Sequence, residues 1–273
     1  MKLFYPILLG ILFITISACS NASEQSSDNV EAGSMEEMLP AVMALPIVEE
    51  LEAAHKAPQF KQKQAVSLDI ELYFRGKKRL EGTLISTPNS DGIRIEKKDG
   101  TVLAYDGEQV WMSPAPNGVG GARFDVFTWQ YFFMAPFKLS DPGTNWEAMD
   151  DMMFEGEAHT TAKLTFDNDT GDAPDDWYIA YKDKNTNLLD AMAYIVTFGA
   201  SQEEAEEEPH AISYHNYKEV EGIPIATEWE FWLWTEEKGL FDQLGEAKIS
   251  NVKFVKVDES TFAAPEDSKE VGR

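Results

Sequence analysis

The chain has 273 residues, with 48 acidic against 23 basic side chains and a formal net charge of −25 at pH 7. An acidic surface of this kind repels phosphate backbones and anionic headgroups, which excludes nucleic acid as an expected partner. Cys19 is the only cysteine, so neither disulfides nor a thiolate metal site can hold the folded part together, and no cofactor is expected to do so.

At the start of the chain, Lys2 precedes a run of apolar residues that extends to Ile16. The run is shorter than the ~20 residues needed to span a bilayer and is followed by a polar segment, which fits a cleaved secretory signal over 1–18. Ile16-Ser17-Ala18-Cys19 resembles the lipobox of bacterial lipoproteins. That resemblance implies cleavage before Cys19, diacylation of its thiol and acylation of the new amino terminus, giving a membrane anchor of two or three chains. The alternative is a conventional signal peptide with an incidental cysteine. Of the charged residues, cleavage there removes Lys2 alone, leaving 48 acids against 22 bases, a net charge of −26.

Residues 19–34 comprise Cys19 and SNASEQSSDNVEAGS, a small, polar stretch without aromatic residues that reads as a flexible tether. Ser34 and Glu37 fit a capping box that opens a helical segment interrupted by Pro40 and Pro46. Its clean part runs from Pro46 to His55, with Ile47, Val48, Leu51 and Ala54 on one face and Glu49, Glu50 and Glu52 opposite. The period then changes to two: Val66, Leu68, Ile70, Leu72 and Phe74 alternate with Ser67, Asp69, Glu71 and Tyr73. RGKK at 75–78 is a turn, and RLEGTLIST returns from it. The meander continues through GIRIEKKDGTVLAYDGEQVWMSP, punctuated by Asp99-Gly100 and Asp106-Gly107. Further strands are expected at 152–166, 176–183, 192–198, 211–220, 225–234 and 247–257. About ten or eleven strands with few helices point to a mainly β domain, one antiparallel sheet that curls or closes. The domain is expected over 35–258, with a polar tail at 259–273.

The segment RFDVFTWQYFFMAPFKL, residues 123–139, breaks the alternation. Phe124, Phe127, Tyr131 and Met134 keep helical spacing, while Val126, Trp129, Phe132 and Phe133 occupy the other sides. A helix apolar all round must be enclosed. Either it fills the open mouth of the curved sheet as core, or it also lines a cavity for an apolar guest. The candidates for such a cavity are Trp111, Phe127, Trp129, Tyr131, Phe133, Met134, Trp229 and Phe231.

Taken in order, the lipobox, the helix ending at Ala54-His55, RIEKKDGTVLAYDGEQVWMSP, the aromatic helix and NYKEVEGIPIATEWEFW resemble the LolA/LolB-like half-barrel superfamily over residues 47–258. The resemblance implies a strongly curved antiparallel sheet whose concave face is covered by a few helices around an apolar cavity, in an uncharacterised lipid-anchored branch. It also implies a protein that accepts acyl chains or other hydrophobic cargo. Greater length, acidity and a Glu-rich insertion separate this chain from the lipoprotein carriers, so the cargo itself does not carry over.

His55, His159, His210 and His215 are scattered. The last two, five apart on one strand, face opposite sides, which disfavours a metal site using both. The G-x-S-x-G, P-loop and H-E-x-x-H signatures are missing, so catalysis is not expected. DNDTGDAPDD at 167–176 begins like a calcium loop, but Gly171 and Tyr178 occupy the fifth and twelfth positions. It reads as an exposed hairpin connection, with weak divalent binding as the alternative. The glutamates of 203–208 read as a solvated loop, with docking of a basic partner as the alternative. Ser20 after the acylated cysteine favours the outer membrane, and the neutral 21–23 favours its periplasmic face over surface display. A monomer is expected. Two functions stay open: an anchored carrier of a lipid-like ligand, or an envelope interaction protein with a self-filled barrel.

Overall fold

The computed structural model describes residues 45–115 and 121–272. The signal segment, Cys19, the tether and the Ser34–Glu37 box lie outside these residues. The first described element is α1 (Pro46–Ala54), whose buried face is Ile47, Val48 and Leu51, as its spacing predicts. His55 closes it, and a second short helix, α2 (Ala57–Lys61), follows after Lys56 in the left-handed region. The strand series begins with β1 (Ala65–Phe74), β2 (Lys77–Ser86), β3 (Ile93–Lys97), β4 (Val102–Tyr105) and β5 (Val110–Ser113). Helix α3 (Ala122–Met134) runs into a 3-10 turn at Ala135–Phe137. Then come β6 (Thr144–Ala148), β7 (Met152–Phe154), β8 (Glu157–Phe166), β9 (Tyr178–Lys182), β10 (Leu189–Tyr194) and α4 (Gln202–Ala205). The chain continues with β11 (His210–Val220), β12 (Ile223–Thr235), β13 (Gly239–Val255), α5 (Glu259–Phe262) and β14 (Lys269–Glu270).

All of these strands join one antiparallel sheet in the order β14-β5-β4-β3-β2-β1-β13-β12-β11-β10-β9-β8-β6, with β7 paired to β8. The sheet does not close on itself: β14 and β6 are its ends. Its long-range seam is the pairing of β1 with β13, from Ala65↔Val255 to Phe74↔Gly245. The alternation expected for β1 is met, since Val66, Leu68, Ile70 and Leu72 are buried in the main core beside partly buried Phe74.

Several strands are short pieces that period-two spacing does not reveal. The stretch 152–166 is a hairpin, β7 and β8, because Glu155 and Gly156 both take positive φ (51° and 84°), the turn that matches strand twist. TNWEA of β6 is mostly exposed and shows no apolar alternation. Within residues 259–273, expected as a polar tail, the chain forms α5 and adds β14 to the sheet. β14 pairs with β5, and Phe262 and Val271 are buried.

The sheet carries apolar side chains on both faces. The larger core lies on the concave side with α1, α2 and α3, where Phe60 stacks on Phe137 at a centroid distance of 3.9 Å. A smaller cluster on the other face gathers Phe154, Trp177, Ile179, Tyr181 and Trp234. This explains why the first four residues of β9 are all buried: Tyr178 and Ala180 belong to the first cluster, Ile179 and Tyr181 to the second.

Candidate functional site

Helix α3 is apolar on most sides, so polar anchors decide its rotation. Asp125, 2% exposed, pairs with Arg79 of β2 at 2.7 Å and Lys97 of β3 at 2.8 Å. The same carboxylate accepts the indole N–H of Trp129 at 3.0 Å, one turn on. Gln130 donates to Ser86 at 3.2 Å and Ser90 at 2.7 Å, and Tyr214 donates to the carbonyl of Phe132 at 3.0 Å. A buried carboxylate that loses its cations is strongly penalised, so these contacts hold one rotation. Trp129 and Phe133 then face the core, Phe132 borders both core and cavity, and Phe124, Phe127, Thr128 and Tyr131, at helical i, i+3, i+4, i+7 spacing, face the cavity.

That second face borders a half-open cavity of about 530 Å³. Across from α3 stand Phe166 at the end of β8, Tyr178 of β9 and Tyr194 of β10, with Tyr105 of β4 on the opposite flank. The rings pack tilted, edge to face or stacked: Tyr131 lies 5.1 Å from Tyr178, Phe127 lies 5.0 Å from Tyr105, and Tyr178 stacks on its cross-strand partner Tyr194 at 6.1 Å. Val196 and the exposed Phe198 continue the apolar surface toward solvent. The β8–β9 connection, expected as an exposed hairpin loop, folds against this mouth. Arg123 of α3 forms a fork with Asp172, with distances of 3.0, 2.9 and 2.6 Å. Thr170, Gly171 and Ala173 line the cavity as well.

Of the eight residues expected at a cavity, the structure brings Phe127 and Tyr131 to it. Trp129, Phe133, Met134, Trp229 and Phe231 are core, each at most 4% exposed, and Trp129 packs edge-on against Phe231 at 6.0 Å. Their large side chains fill the space under the sheet because α3 turns that face inward. Trp111 sits on β5, half-buried, with its indole N–H donated to Asp106 at 2.8 Å, away from the cavity. Tyr178 and Tyr194 are absent from the residues expected there, although the alternation Tyr178, Ala180 and Met192, Tyr194 on adjacent strands is a signal that places them inward. Asp172 and Asp176 carry no such local signal, since their position depends on how the loop folds back.

Charge near the cavity is mostly matched. Lys138 pairs with Asp141 at 2.5 Å, and Arg123 with Asp172. Asp176 accepts both the backbone N–H and the hydroxyl of Thr197 at 2.7 Å. Burial nevertheless raises its carboxyl to about 6, and no basic group among the described residues pairs with it.

The histidines do other work. His55 is fully buried and accepts the backbone N–H of Leu189 at 3.0 Å. Beside it, a void of about 10 Å³ bounded by Phe133, Tyr217 and Trp229 has room for at most one water. Nε2 of His159 lies 3.0 Å from Asp190, and Asp183 brings its carboxylate into the same group, with ligand atoms within 4.8 Å of one another. Among the described residues these three donors come nearest to a cation site, with His159 on β8, Asp183 just after β9 and Asp190 on β10. In the Glu-rich segment, Ser201 and Glu204 form a capping box, Glu206 accepts the Trp177 indole N–H at 3.1 Å, and Glu208 pairs with Arg75. Among the described residues no helix is long and apolar enough to cross a membrane.

No protein-family model and no curated protein matches the chain. Solved structures do. A LolA superfamily protein from Nitrosomonas europaea superposes with a TM-score of 0.54 at 11% identity, covering 81% of this chain and 98% of that one. A domain assigned to outer membrane lipoprotein sorting from Vibrio parahaemolyticus gives 0.48 at 13% identity, over 79% and 97%. The chain has the LolA-like half-barrel fold, an open antiparallel sheet with helices on its concave face.

Proposed function

We propose that this chain is a lipid-anchored, non-enzymatic envelope protein that holds an apolar, lipid-like ligand in the cavity beside α3. The observation that carries this reading is the cavity of about 530 Å³, walled by aromatic rings, that the side chains of the described residues leave unfilled. Ligand sites are apolar concavities of about 300–1,000 Å³ with few polar groups. A self-filled barrel accounts for Trp129, Phe133, Met134, Trp229 and Phe231, but it gives no reason for Phe124, Phe127 and Tyr131 to border open space. The LolA-like fold agrees with hydrophobic cargo. Acylation at Cys19 would anchor a monomer to the outer membrane, with the domain on the periplasmic side.

Native mass spectrometry of the full chain purified from membranes tests the proposal. A retained lipid of discrete mass is the expected result. A ligand-free mass, together with no saturable uptake of a fluorescent fatty acid by the intact protein, favours the interaction protein instead.

A further inference from the structure

Six tyrosines in or near the concave core differ in what their hydroxyls do, and Tyr105, on the far flank of the cavity, donates to Gly107 O at 2.8 Å. Tyr214 donates to Phe132 O at 3.0 Å and Tyr217 to Leu189 O at 2.6 Å, as buried hydroxyls ordinarily must. Tyr131, Tyr178 and Tyr194 make no hydrogen bond among the described residues, and their hydroxyl oxygens are not sealed off by protein. All three line the cavity, and Tyr178 and Tyr194 are 8% and 4% exposed. On adjacent strands, side chains of one face stand roughly perpendicular to the sheet, so the Tyr178 and Tyr194 rings, stacked at 6.1 Å, rise together toward Tyr131 on the helix.

Resting on the reading of this cavity as a ligand site, we infer that the three hydroxyls form a polar subsite for the carbonyl of a single, neutral acyl ester. Three observations select that class. Burial keeps all three phenols protonated well above neutral pH, so the subsite offers donors and calls for an acceptor. The cations that could hold a carboxylate, Arg123 and Lys138, are already paired, and the acid without a basic partner is Asp176, which repels an anion. A heavy atom in a liquid-like chain takes about the ~30 Å³ share of a water molecule, so about 530 Å³ accommodates roughly 18 heavy atoms, one acyl chain and its ester.

The test is equilibrium uptake of radiolabelled methyl palmitate, palmitate and hexadecane from methyl-β-cyclodextrin, using the full chain. The Tyr131→Phe/Tyr178→Phe/Tyr194→Phe variant keeps every ring and deletes only the hydroxyls. Its loss of affinity for methyl palmitate is expected to exceed its loss for hexadecane by at least tenfold. Asp176→Asn, whose amide oxygen still accepts from Thr197, is expected to improve palmitate at least threefold more than methyl palmitate. If the triple variant fails to fold by circular dichroism, Tyr178→Phe alone carries the comparison, with a threefold difference expected. Equal losses for ester and alkane, or no loss, overturn the polar subsite while leaving the carrier reading standing. Saturable uptake of none of the three ligands by the wild type overturns both.

Discussion

His55 makes stability depend on pH in a way that can be worked out from its surroundings. Its ring is fully buried between Phe137 and Tyr217, with centroids at 6.0 and 5.6 Å, and Nε2 accepts from the Leu189 N–H. Protonation would set N–H against N–H and leave a buried charge without a partner, and burial pushes the pKa down to about 3 from 6.5. Between those values the unfolded chain binds a proton that the folded chain refuses, so stability falls as pH drops below 6.5. For pKa values of 6.5 and 3, the loss at pH 4.5 relative to pH 8 is about 2.7 kcal/mol. Asp176 acts in the opposite sense. Its folded pKa of about 6 lies above 3.8, so it adds stability as pH falls, about 2 kcal/mol at pH 4.5, and masks His55 in the wild-type profile. The measurement is therefore a difference: urea unfolding of wild type and His55→Gln by tryptophan fluorescence at pH 8, 6 and 4.5. The side-chain amide of that variant would retain an acceptor for Leu189 without titrating. Relative to the variant, wild type should lose about 2.7 kcal/mol over that range, on the order of 1 M in urea midpoint. A difference that stays constant from pH 8 to 4.5 would refute the account of a neutral, desolvated imidazole.

Trp129→Ala and Phe133→Ala should each cost about 3–5 kcal/mol, the scale for large buried aromatic rings. Phe127→Ala, at the cavity face, should cost less than about 2 kcal/mol; thermal denaturation ranks the three, and equal costs would contradict the assigned rotation of α3. Leu68→Asp should unfold the domain, because it puts an unpaired charge into the main core. Asp69→Ala should cost only about 1 kcal/mol, since the half-buried carboxylate loses hydrogen bonds from Thr83 and Asn251, both at 2.7 Å; circular dichroism separates the pair, and similar damage would mean a register slip. Cys19→Ser should abolish incorporation of a palmitate analogue and leave the precursor uncleaved, which metabolic labelling and the mass of the chain report.

The sequence by itself determined which side of an element is apolar. Period two along Val66–Phe74 and helical spacing along Ile47–Leu51 place those residues in the main core, because each backbone geometry repeats side-chain direction over a few residues. It also disclosed the helix that the structure places at Ala122–Met134 and an antiparallel sheet that curls or closes, while the half-barrel class followed from the resemblance of the ordered segments to the LolA/LolB-like superfamily. Only the tertiary structure decided which side of that helix meets the cavity. Its apolar residues run all round, so spacing offers no preferred face, and its rotation is held by Arg79, Lys97, Ser86 and Ser90 from residues far back in the chain. The same holds for Asp172, Tyr178 and Tyr194, which lie 49, 47 and 63 residues or more from Arg123 or Tyr131 and reach the cavity only once β8, β9 and β10 have paired. Local spacing reports where a side chain points within its own element; where two elements meet is set by long-range packing and by the satisfaction of buried charge.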